Sequence, residues 1–291
     1  MMPSSAARLA LPLVALLVAV AMMATAAPVR AQAAAWPPAE EAAIRPGAET
    51  VTGGNQCTAN FIFTETTTTA DGTEELSAVY IGQAAHCASL GGATGTDGCQ
   101  EESMPLGTPV EVEGASQAGE LVYSSWIAMQ EANESDENTC WYNDFALVAL
   151  DSADWGSVNP TVPFWGGPVA LTTDGTDTFE DVYSYGNSSL RFGIEDLKPK
   201  KGYSLGDCCD GWTHDVYTLT PGIPGDSGSG FLDAEGNAFG VLATLAVAPF
   251  PASNGVTDLA HALDYMHGHQ GPGAVLEPGT EPFTPRDLPV G

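Results

Sequence analysis

The chain has 291 residues, 44% of them hydrophobic, and its 37 acidic and 8 basic residues give a formal net charge of -29. This length allows a buried core in one large domain or two small ones. The excess of negative charge would repel phosphates, which excludes nucleic acid as an expected partner.

The N-terminus has the pattern of a secretory signal peptide. Arg8 precedes an apolar run from Leu9 to Ala24, and Ala31-Gln32-Ala33 then supplies small residues at the spacing that a signal peptidase needs. We therefore expect residues 1–33 to be removed and the mature protein to be an extracellular monomer without stable membrane association. Residues 34–56 have no periodicity, which predicts a short N-terminal lead or propeptide.

Short β-rich runs bounded by Gly, Asp, Asn and Pro recur along most of the chain. They are Phe61–Thr64, Leu76–Ile81, Pro109–Val112, Leu121–Ile127, Phe145–Leu150, Val169–Thr172, Val182–Tyr185, Val216–Leu219, Gly230–Leu232 and Phe239–Val247. Many short strands with loops between them predict an all-β sandwich or barrel.

One helix is indicated near the end of the chain. Thr257 and Asp258 can cap a run in which Leu259, Leu263 and Met266 share one face. The Pro- and Gly-rich residues 270–291 that follow predict a loosely held tail.

The segment PGIPGDSGSG, residues 221–230, contains too many glycines and prolines for a strand or a helix. It has Ser227 near its centre, and a serine hydroxyl becomes a nucleophile only when a base takes its proton. His86, in Ala84-Ala85-His86-Cys87 at the end of a predicted strand, is the candidate base. Asp144, directly before the apolar run that starts at Phe145, is the candidate carboxylate.

In these three motifs the chain resembles the chymotrypsin-like serine endopeptidases. That family has an Ala-Ala-His-Cys box, an Asp followed by apolar residues, and Gly-Asp-Ser-Gly, in the order His, Asp, Ser found here. An α/β-hydrolase would have the order Ser, Asp, His and a subtilisin-like chain Asp, His, Ser. The resemblance covers residues 57–269 and implies two antiparallel six-stranded β-barrels with the active site between them and a C-terminal helix.

The resemblance also implies a role for each residue. Ser227 would attack the peptide carbonyl, His86 would take and return the proton, and Asp144 would hold the imidazole tautomer. The amides of Gly225 and Ser227 would form the oxyanion hole. No cofactor or metal is expected.

Asp226 would be a buried support for the loop, paired with an internal cation as in secreted bacterial members of the family. Arg191 is the candidate for this cation. The cluster Lys198, Lys200 and Lys201 is interpreted instead as a solvated turn or as a self-association or autolysis-sensitive loop.

By the same resemblance, the substrate pocket is expected near Pro221, Thr244, Ala246 and Gly255. No acid stands where trypsin-like members have one, and Ala243 and Gly222 stand where glutamyl endopeptidases have the histidine and threonine that bind an acidic side chain. Cleavage after small or apolar residues is therefore expected.

Six cysteines in an exported chain predict up to three disulfides. The resemblance implies the pair Cys57–Cys87. The remaining cysteines, Cys99, Cys140, Cys208 and Cys209, leave three pairings open. His214 is interpreted as a loop residue, and a structural role is favoured over a metal site for His261, His267 and His269.

Two other functions remain open. A catalytically silent binding protein on the same fold would be expected to lack a residue of the triad, and none is missing here. A secreted esterase would share the chemistry and differ only in its substrate. A polypeptide substrate is the partner that we expect.

Overall fold

Fourteen strands and three α-helices form the regular structure of residues 36–92, 95–245 and 252–289, which are the parts of the chain that the computed structural model describes. The strands are β1 (Glu49–Thr52), β2 (Asn55–Thr58), β3 (Ile62–Thr68), β4 (Glu74–Gln83), β5 (Pro109–Val112), β6 (Gly119–Ser124), β7 (Ala146–Ala149), β8 (Asp181–Tyr185), β9 (Pro199–Cys208), β10 (Thr213–Thr218), β11 (Gly230–Leu232), β12 (Ala238–Leu245), β13 (Asn254–Asp258) and β14 (Val275–Leu276). The helices are α1 (Ser125–Ala132), α2 (Glu137–Tyr142) and α3 (Leu259–Gly268). The predicted signal peptide, residues 1–33, lies outside the described residues.

The strands of the second half close into a barrel. Its order is β10-β13-β12-β11-β8-β9, and every pairing in it is antiparallel. Alternate side chains of these strands point inward, as the period of a β-strand requires. They form an apolar core of Val182, Val216, Phe231, Phe239, Leu242 and Val256.

The strands of the first half, together with β14 from the C-terminal segment, form a sheet in the order β14-β3-β4-β7-β6-β5-β1-β2. The all-β class with two strand groups and a C-terminal helix, predicted from the sequence, is therefore confirmed. The detail differs, because the described part of this sheet has eight strands rather than six.

The additional strands come from segments that the sequence indicated as a lead and a loose tail. β1 and β2 form a hairpin around Gly53 and Gly54, whose φ angles of 56° and 94° favour glycine. β14 pairs with β3, and the carboxylate of Glu277 accepts hydrogen bonds from Trp36 and Thr64 at 3.2 and 3.1 Å. Both segments are thus part of the sheet.

Two of the predicted strands differ from the structure. The run Leu121–Ile127 leaves the sheet at Ser124 and continues as α1. Val169–Thr172 makes an isolated bridge at Leu171 instead of a strand. β9 and β13 were not predicted.

The C-terminal helix begins where the sequence predicts. Asp258 caps it, because its carboxylate accepts a hydrogen bond from the amide of His261 at 2.8 Å. Within the described residues, no helix has the length and apolar character that crossing a membrane requires.

Candidate active site

His86 lies on a backbone that several contacts fix. It belongs to a buried 3₁₀ turn, Ala85–Ala88, directly after β4. Cys87 in this turn is bound to Cys57 by a disulfide, as the resemblance implied. The side chain of Asn55 donates a hydrogen bond to the carbonyl of Cys87 at 3.2 Å. The position of the imidazole is therefore well determined.

Asp144 accepts two hydrogen bonds from His86. It lies between α2 and β7, and its Oδ1 accepts from the amide of His86 at 2.9 Å while its Oδ2 is 2.5 Å from Nδ1. Both residues are buried, with exposed fractions of 6% and 2%. Since an ionised carboxylate only accepts hydrogen bonds, Nδ1 carries a proton and Nε2 is left as the acceptor.

The pKa of His86 lies above its ordinary value of 6.5. Burial acts to lower this pKa, but the charge of Asp144 and its hydrogen bond raise it by more. The neutral imidazole, which can accept a proton, becomes the main form only above pH 6.5.

The other ring nitrogen of His86 makes no hydrogen bond to the described residues. His86 Nε2 is buried and has no hydrogen-bond partner among the described residues. An unpaired buried polar atom costs about 1–3 kcal/mol, so native proteins keep few of them. This atom is available to accept a proton during a reaction.

Ser227 lies on a loop packed against the segment that precedes His86. Its carbonyl accepts a hydrogen bond from the amide of Thr58 at 2.8 Å. A Cβ atom on Gly228, which has a φ of +88°, would lie 2.8 Å from the amide nitrogen of Ala84. The absence of a side chain there brings Ser227 beside the turn that contains His86. No hydrogen bond joins Ser227 Oγ to His86 Nε2 in the described structure, and such contacts often tighten only with substrate bound.

The peptide between Pro224 and Gly225 is oriented by its neighbours. Ser188 Oγ donates to the carbonyl of Pro224 in this peptide at 2.6 Å, and Thr58 Oγ1 donates to the carbonyl of Gly225 in the next peptide at 2.8 Å. Because the N–H and C=O of a trans peptide point in opposite directions, the amide of Gly225 points away from Ser188. The amides of Gly225 and Ser227 donate to no described residue, and both residues line the same cavity.

A side chain at position 225 should disturb this arrangement. Gly225 has a φ of +94°, and a Cβ atom there would lie 2.5 Å from Gln56 Oε1 and 2.9 Å from Ser188 Oγ. We expect Gly225→Ala to lower kcat/KM for a peptide substrate by about 10²-fold, the cost of losing one oxyanion donor.

Gly72→Ala is the matched control for Gly225→Ala. Gly72 has a similar φ of +84°, but no atom lies within 4 Å of the added Cβ. Equal activity losses in the two variants would mean that backbone strain, and not the position of the Gly225 amide, explains the effect.

Asp226 is fully buried, and its carboxylate holds the loop of Ser227 through hydrogen bonds. Its Oδ1 accepts from the amide of Ser188 at 3.0 Å, and its Oδ2 accepts from the amide of Ile223 at 3.1 Å. Arg191 is the cation that the sequence suggested as the partner of Asp226. Its Nη2 lies 2.5 Å from the same Oδ2. Burial acts to raise the pKa of Asp226, but the charges and hydrogen bonds of Arg191 and of a second cation, Lys200, hold this pKa below its ordinary value.

Lys200 is a second cation at this carboxylate and was not predicted from the sequence. The sequence suggests a solvated turn or a self-association or autolysis-sensitive loop here, but the Lys200 side chain is fully buried and its Nζ lies 2.9 Å from Asp226 Oδ2. The interpretation of Lys200 as solvated is wrong because β9 is a strand of the closed barrel and Lys200 lies on its buried face.

A cavity of about 550 Å³ opens beside Ser227. Its described lining is uncharged and includes Gln56, Gly222, Leu242, Thr244 and Asn254. Such a surface favours neutral ligands.

Of the residues predicted for this pocket, Thr244 lines the cavity. Pro221 and Gly255 are not among its described lining residues. The carbonyl of Pro221 accepts from Arg191 at 2.8 Å, and Gly255 lies behind the side chain of Thr244. Ala246 lies outside the described residues.

Asn254 joins two walls of the cavity. Its Oδ1 accepts from the amide of Gly222 at 2.8 Å, while its Nδ2 donates to the carbonyls of Gly222 and Thr244 at 3.2 and 3.1 Å. Both donor hydrogens are thus in use, so Asn254 has none left for a substrate carboxylate. Asn254 was not predicted from the sequence.

His214 belongs to a strand and not to a loop. It lies on β10 with its side chain fully buried, and its Nε2 is 2.9 Å from Asp258 Oδ2. His261 Nδ1 is 2.9 Å from the other oxygen of Asp258. His267 contacts the carbonyl of Ala274 at 3.0 Å. His214 and His261 thus contribute to the packing of the C-terminal helix on the barrel.

All six cysteines are paired. Besides Cys57–Cys87, the structure contains the disulfides Cys99–Cys140 and Cys208–Cys209. This selects one of the three pairings that the sequence left open.

Solved structures with a similar arrangement of the chain include proteases. Thermobifida fusca protease A shares 17% identity over 82% of this chain and 100% of its own, with a TM-score of 0.49. A glutamic acid specific serine protease that uses a histidine triad in substrate binding shares 17% identity over 80% of this chain and 100% of its own, with a TM-score of 0.45. Cellulomonas bogoriensis chymotrypsin shares 15% identity over 81% of this chain and 98% of its own, with a TM-score of 0.43.

At the sequence level the comparisons find less. No protein-family model matches the chain, and no curated protein matches it significantly. Any assignment of function therefore depends on the residues of this chain.

Proposed function

We propose that this chain is a secreted serine endopeptidase that hydrolyses peptide bonds with His86, Asp144 and Ser227. The observation that carries the proposal is the buried His86–Asp144 pair, whose free Nε2 lies in a turn packed against the loop of Ser227. Together with two unpaired amides on that loop, the pair provides the groups that acyl transfer needs.

In the first half of the reaction, Ser227 Oγ attacks the carbonyl carbon of the scissile peptide while its proton passes to His86 Nε2. The carbonyl oxygen becomes an oxyanion, which the amides of Gly225 and Ser227 stabilise. The imidazolium formed on His86 is stabilised by the Asp144 carboxylate. When the tetrahedral intermediate collapses, His86 gives its proton to the leaving amine and an ester of Ser227 remains.

In the second half, water takes the place of the amine. His86 Nε2 accepts a proton from the water, whose oxygen attacks the ester carbonyl. The proton then returns to Ser227 Oγ as the acid product leaves. Each proton moves through Nε2, and this requires the tautomer that Asp144 selects.

The uncharged cavity supports a preference for small or apolar residues before the scissile bond. Its described lining has no cation for an acidic side chain and no acid for a basic one. Asn254 has both donor hydrogens in use within the protein, and the apolar side chain of Leu242 lies next to Gly222 in the same lining.

Secretion is supported by the pairing of all six cysteines, since disulfides persist in oxidising compartments. Residues 1–33 are the proposed signal. Polypeptides in the medium would be the substrates.

Cleavage of a defined peptide mixture tests this proposal. The mature wild-type protein and its Ser227→Ala and Ser135→Ala variants are incubated with the mixture, and the products are sequenced by mass spectrometry. We expect internal cuts after small or apolar residues from the wild type and from Ser135→Ala, an exposed control, but none from Ser227→Ala.

Other outcomes would contradict the proposal. Hydrolysis of simple esters without any peptide cleavage would indicate an esterase. Binding of peptides without cleavage of either substrate would indicate a silent binding protein. Cuts only after acidic or basic residues would overturn the assignment of the pocket.

The raised pKa of His86 predicts the pH dependence of the reaction. Since only the neutral imidazole accepts the proton of Ser227, kcat/KM should rise with pH through the pKa of His86 in the free enzyme. We expect the midpoint of this rise to lie above pH 6.5, the ordinary value for histidine. A profile from pH 5 to 9 at fixed ionic strength measures it.

The exposed Asp264 provides the control, and Asp264→Asn should leave the midpoint in place. A wild-type midpoint at or below pH 6.5 would contradict the proposed electrostatic coupling between Asp144 and His86.

A further inference from the structure

Lys200 occupies an unusual position for a lysine. It lies on β9 opposite Ser184 of β8, and its side chain is completely enclosed by the barrel. Lysines are almost never fully buried unless they are paired. The partner here is Asp226, whose Oδ2 lies 2.9 Å from Nζ.

Asp226 does not need Lys200 for charge balance. Arg191 Nη2 lies 2.5 Å from the same oxygen, and one guanidinium neutralises one carboxylate. With both cations protonated, the cluster of Lys200, Arg191 and Asp226 has a net charge of +1. Burial of an extra charge is costly, so a functional reason for the second cation is to be expected.

The charge of this cluster lies next to the proposed oxyanion hole. Asp226 is the residue between Gly225 and Ser227, whose amides donate to no described residue. A fixed positive charge behind these donors favours the negative oxygen that forms in front of them. It also restrains the loop, because Lys200 and Arg191 hold Asp226 from different elements of the fold.

We propose that Lys200 is a second positioning cation of the oxyanion loop, which acts through Asp226 to fix the amides of Gly225 and Ser227 and adds a positive charge behind them. This inference rests on the proposed peptidase function. Lys200 does not touch the substrate in this proposal.

The effect of Lys200 should depend on pH. The charged groups that act on it are the Asp226 carboxylate, which raises its pKa, and the Arg191 guanidinium, which lowers it. Burial is the largest influence, and the pKa of Lys200 is lowered to about 8. The net charge of the cluster therefore changes from +1 to zero as the pH rises through this value.

The test compares kcat of the wild type and Lys200→Met from pH 7 to pH 9.5. We expect Lys200→Met to have a kcat about 10-fold lower at pH 7, less than the loss of a direct oxyanion donor, with KM unchanged. The ratio of the wild-type kcat to the Lys200→Met kcat should fall toward 1 at pH 9.5, where wild-type Lys200 is neutral. Because His86 titrates in both proteins, its contribution cancels in this ratio.

Two further variants complete the test. Lys200→Arg keeps its charge at pH 9.5 and should hold the higher kcat there. Lys201→Met removes the adjacent lysine, whose ammonium lies 5.6 Å from the ring of Tyr183, and should leave kcat unchanged.

The outcomes separate this inference from the proposed function. A wild type without peptidase activity would refute the function itself. An active wild type with a ratio near 1 at pH 7, or with a ratio that does not change with pH, would overturn the role of Lys200. If Lys200→Met does not fold, a kcat ratio of Lys200→Arg to wild type that stays constant from pH 7 to 9.5 would overturn it equally.

Discussion

Replacing Asp144 by asparagine is expected to lower kcat by about 10⁴-fold with little change in KM. The reason is the tautomer of His86. Asp144 Oδ1 accepts from the amide of His86, so an asparagine that keeps this bond turns its NH2 group toward Nδ1. The proton of the ring then moves to Nε2, which can no longer accept one from Ser227.

Steady-state kinetics on a peptide substrate measure this loss. Asp264→Asn makes the same chemical change on an exposed face of α3 and should retain wild-type kcat. A fall in kcat of less than about 10-fold in folded Asp144→Asn would mean that this carboxylate does not determine the state of His86.

Replacing Asp226 by asparagine should have the largest effect on stability. The change leaves Lys200 and Arg191, whose side chains are 0% and 7% exposed, without a counter-charge. Breaking a buried ion pair in this way costs roughly 3–5 kcal/mol. For a chain of this size the loss corresponds to a decrease in Tm of roughly 6–20 °C.

Thermal unfolding of the disulfide-intact protein measures this change, with Asp196→Asn as an exposed control. The double variant Asp226→Asn/Lys200→Met should be more stable than Asp226→Asn alone, because it removes one of the two uncompensated charges. A double variant that is less stable than Asp226→Asn would refute the electrostatic explanation.

Local motifs made part of the site predictable. His86, Asp144 and Ser227 stand in short patterns whose order along the chain is specific, and the structure brings Asp144 into hydrogen-bond contact with His86. The capped C-terminal helix was predicted for the same reason, since its capping residue and apolar face lie within ten residues of each other.

Lys200 was not predictable from its surroundings in the sequence. Pro199, Lys201 and Gly202 suggest an exposed turn, because proline, lysine and glycine are rare in strands. What buries Lys200 is the closure of the barrel and a carboxylate 26 residues further along the chain. Tertiary contacts of this kind leave no local pattern.

The two chain ends illustrate the same limit. β1 and β14 have weak local signals, and they become strands because β5 and β3 have edges with which they can pair. Asn254 likewise gains its role from Gly222 and Thr244, which lie on other segments. The walls of the pocket therefore could not be assigned from the sequence, whereas the candidate nucleophile, Ser227, stands in a short local motif.

Labelling with a fluorophosphonate probe tests the central claim most directly. The probe reacts with a serine hydroxyl only where a neighbouring base activates it. We expect the mature wild-type protein to be labelled at Ser227, as mapped by mass spectrometry, and Ser227→Ala to remain unlabelled. Equal labelling of the two proteins, or a folded wild type that is not labelled, would contradict the assignment of Ser227 as the nucleophile.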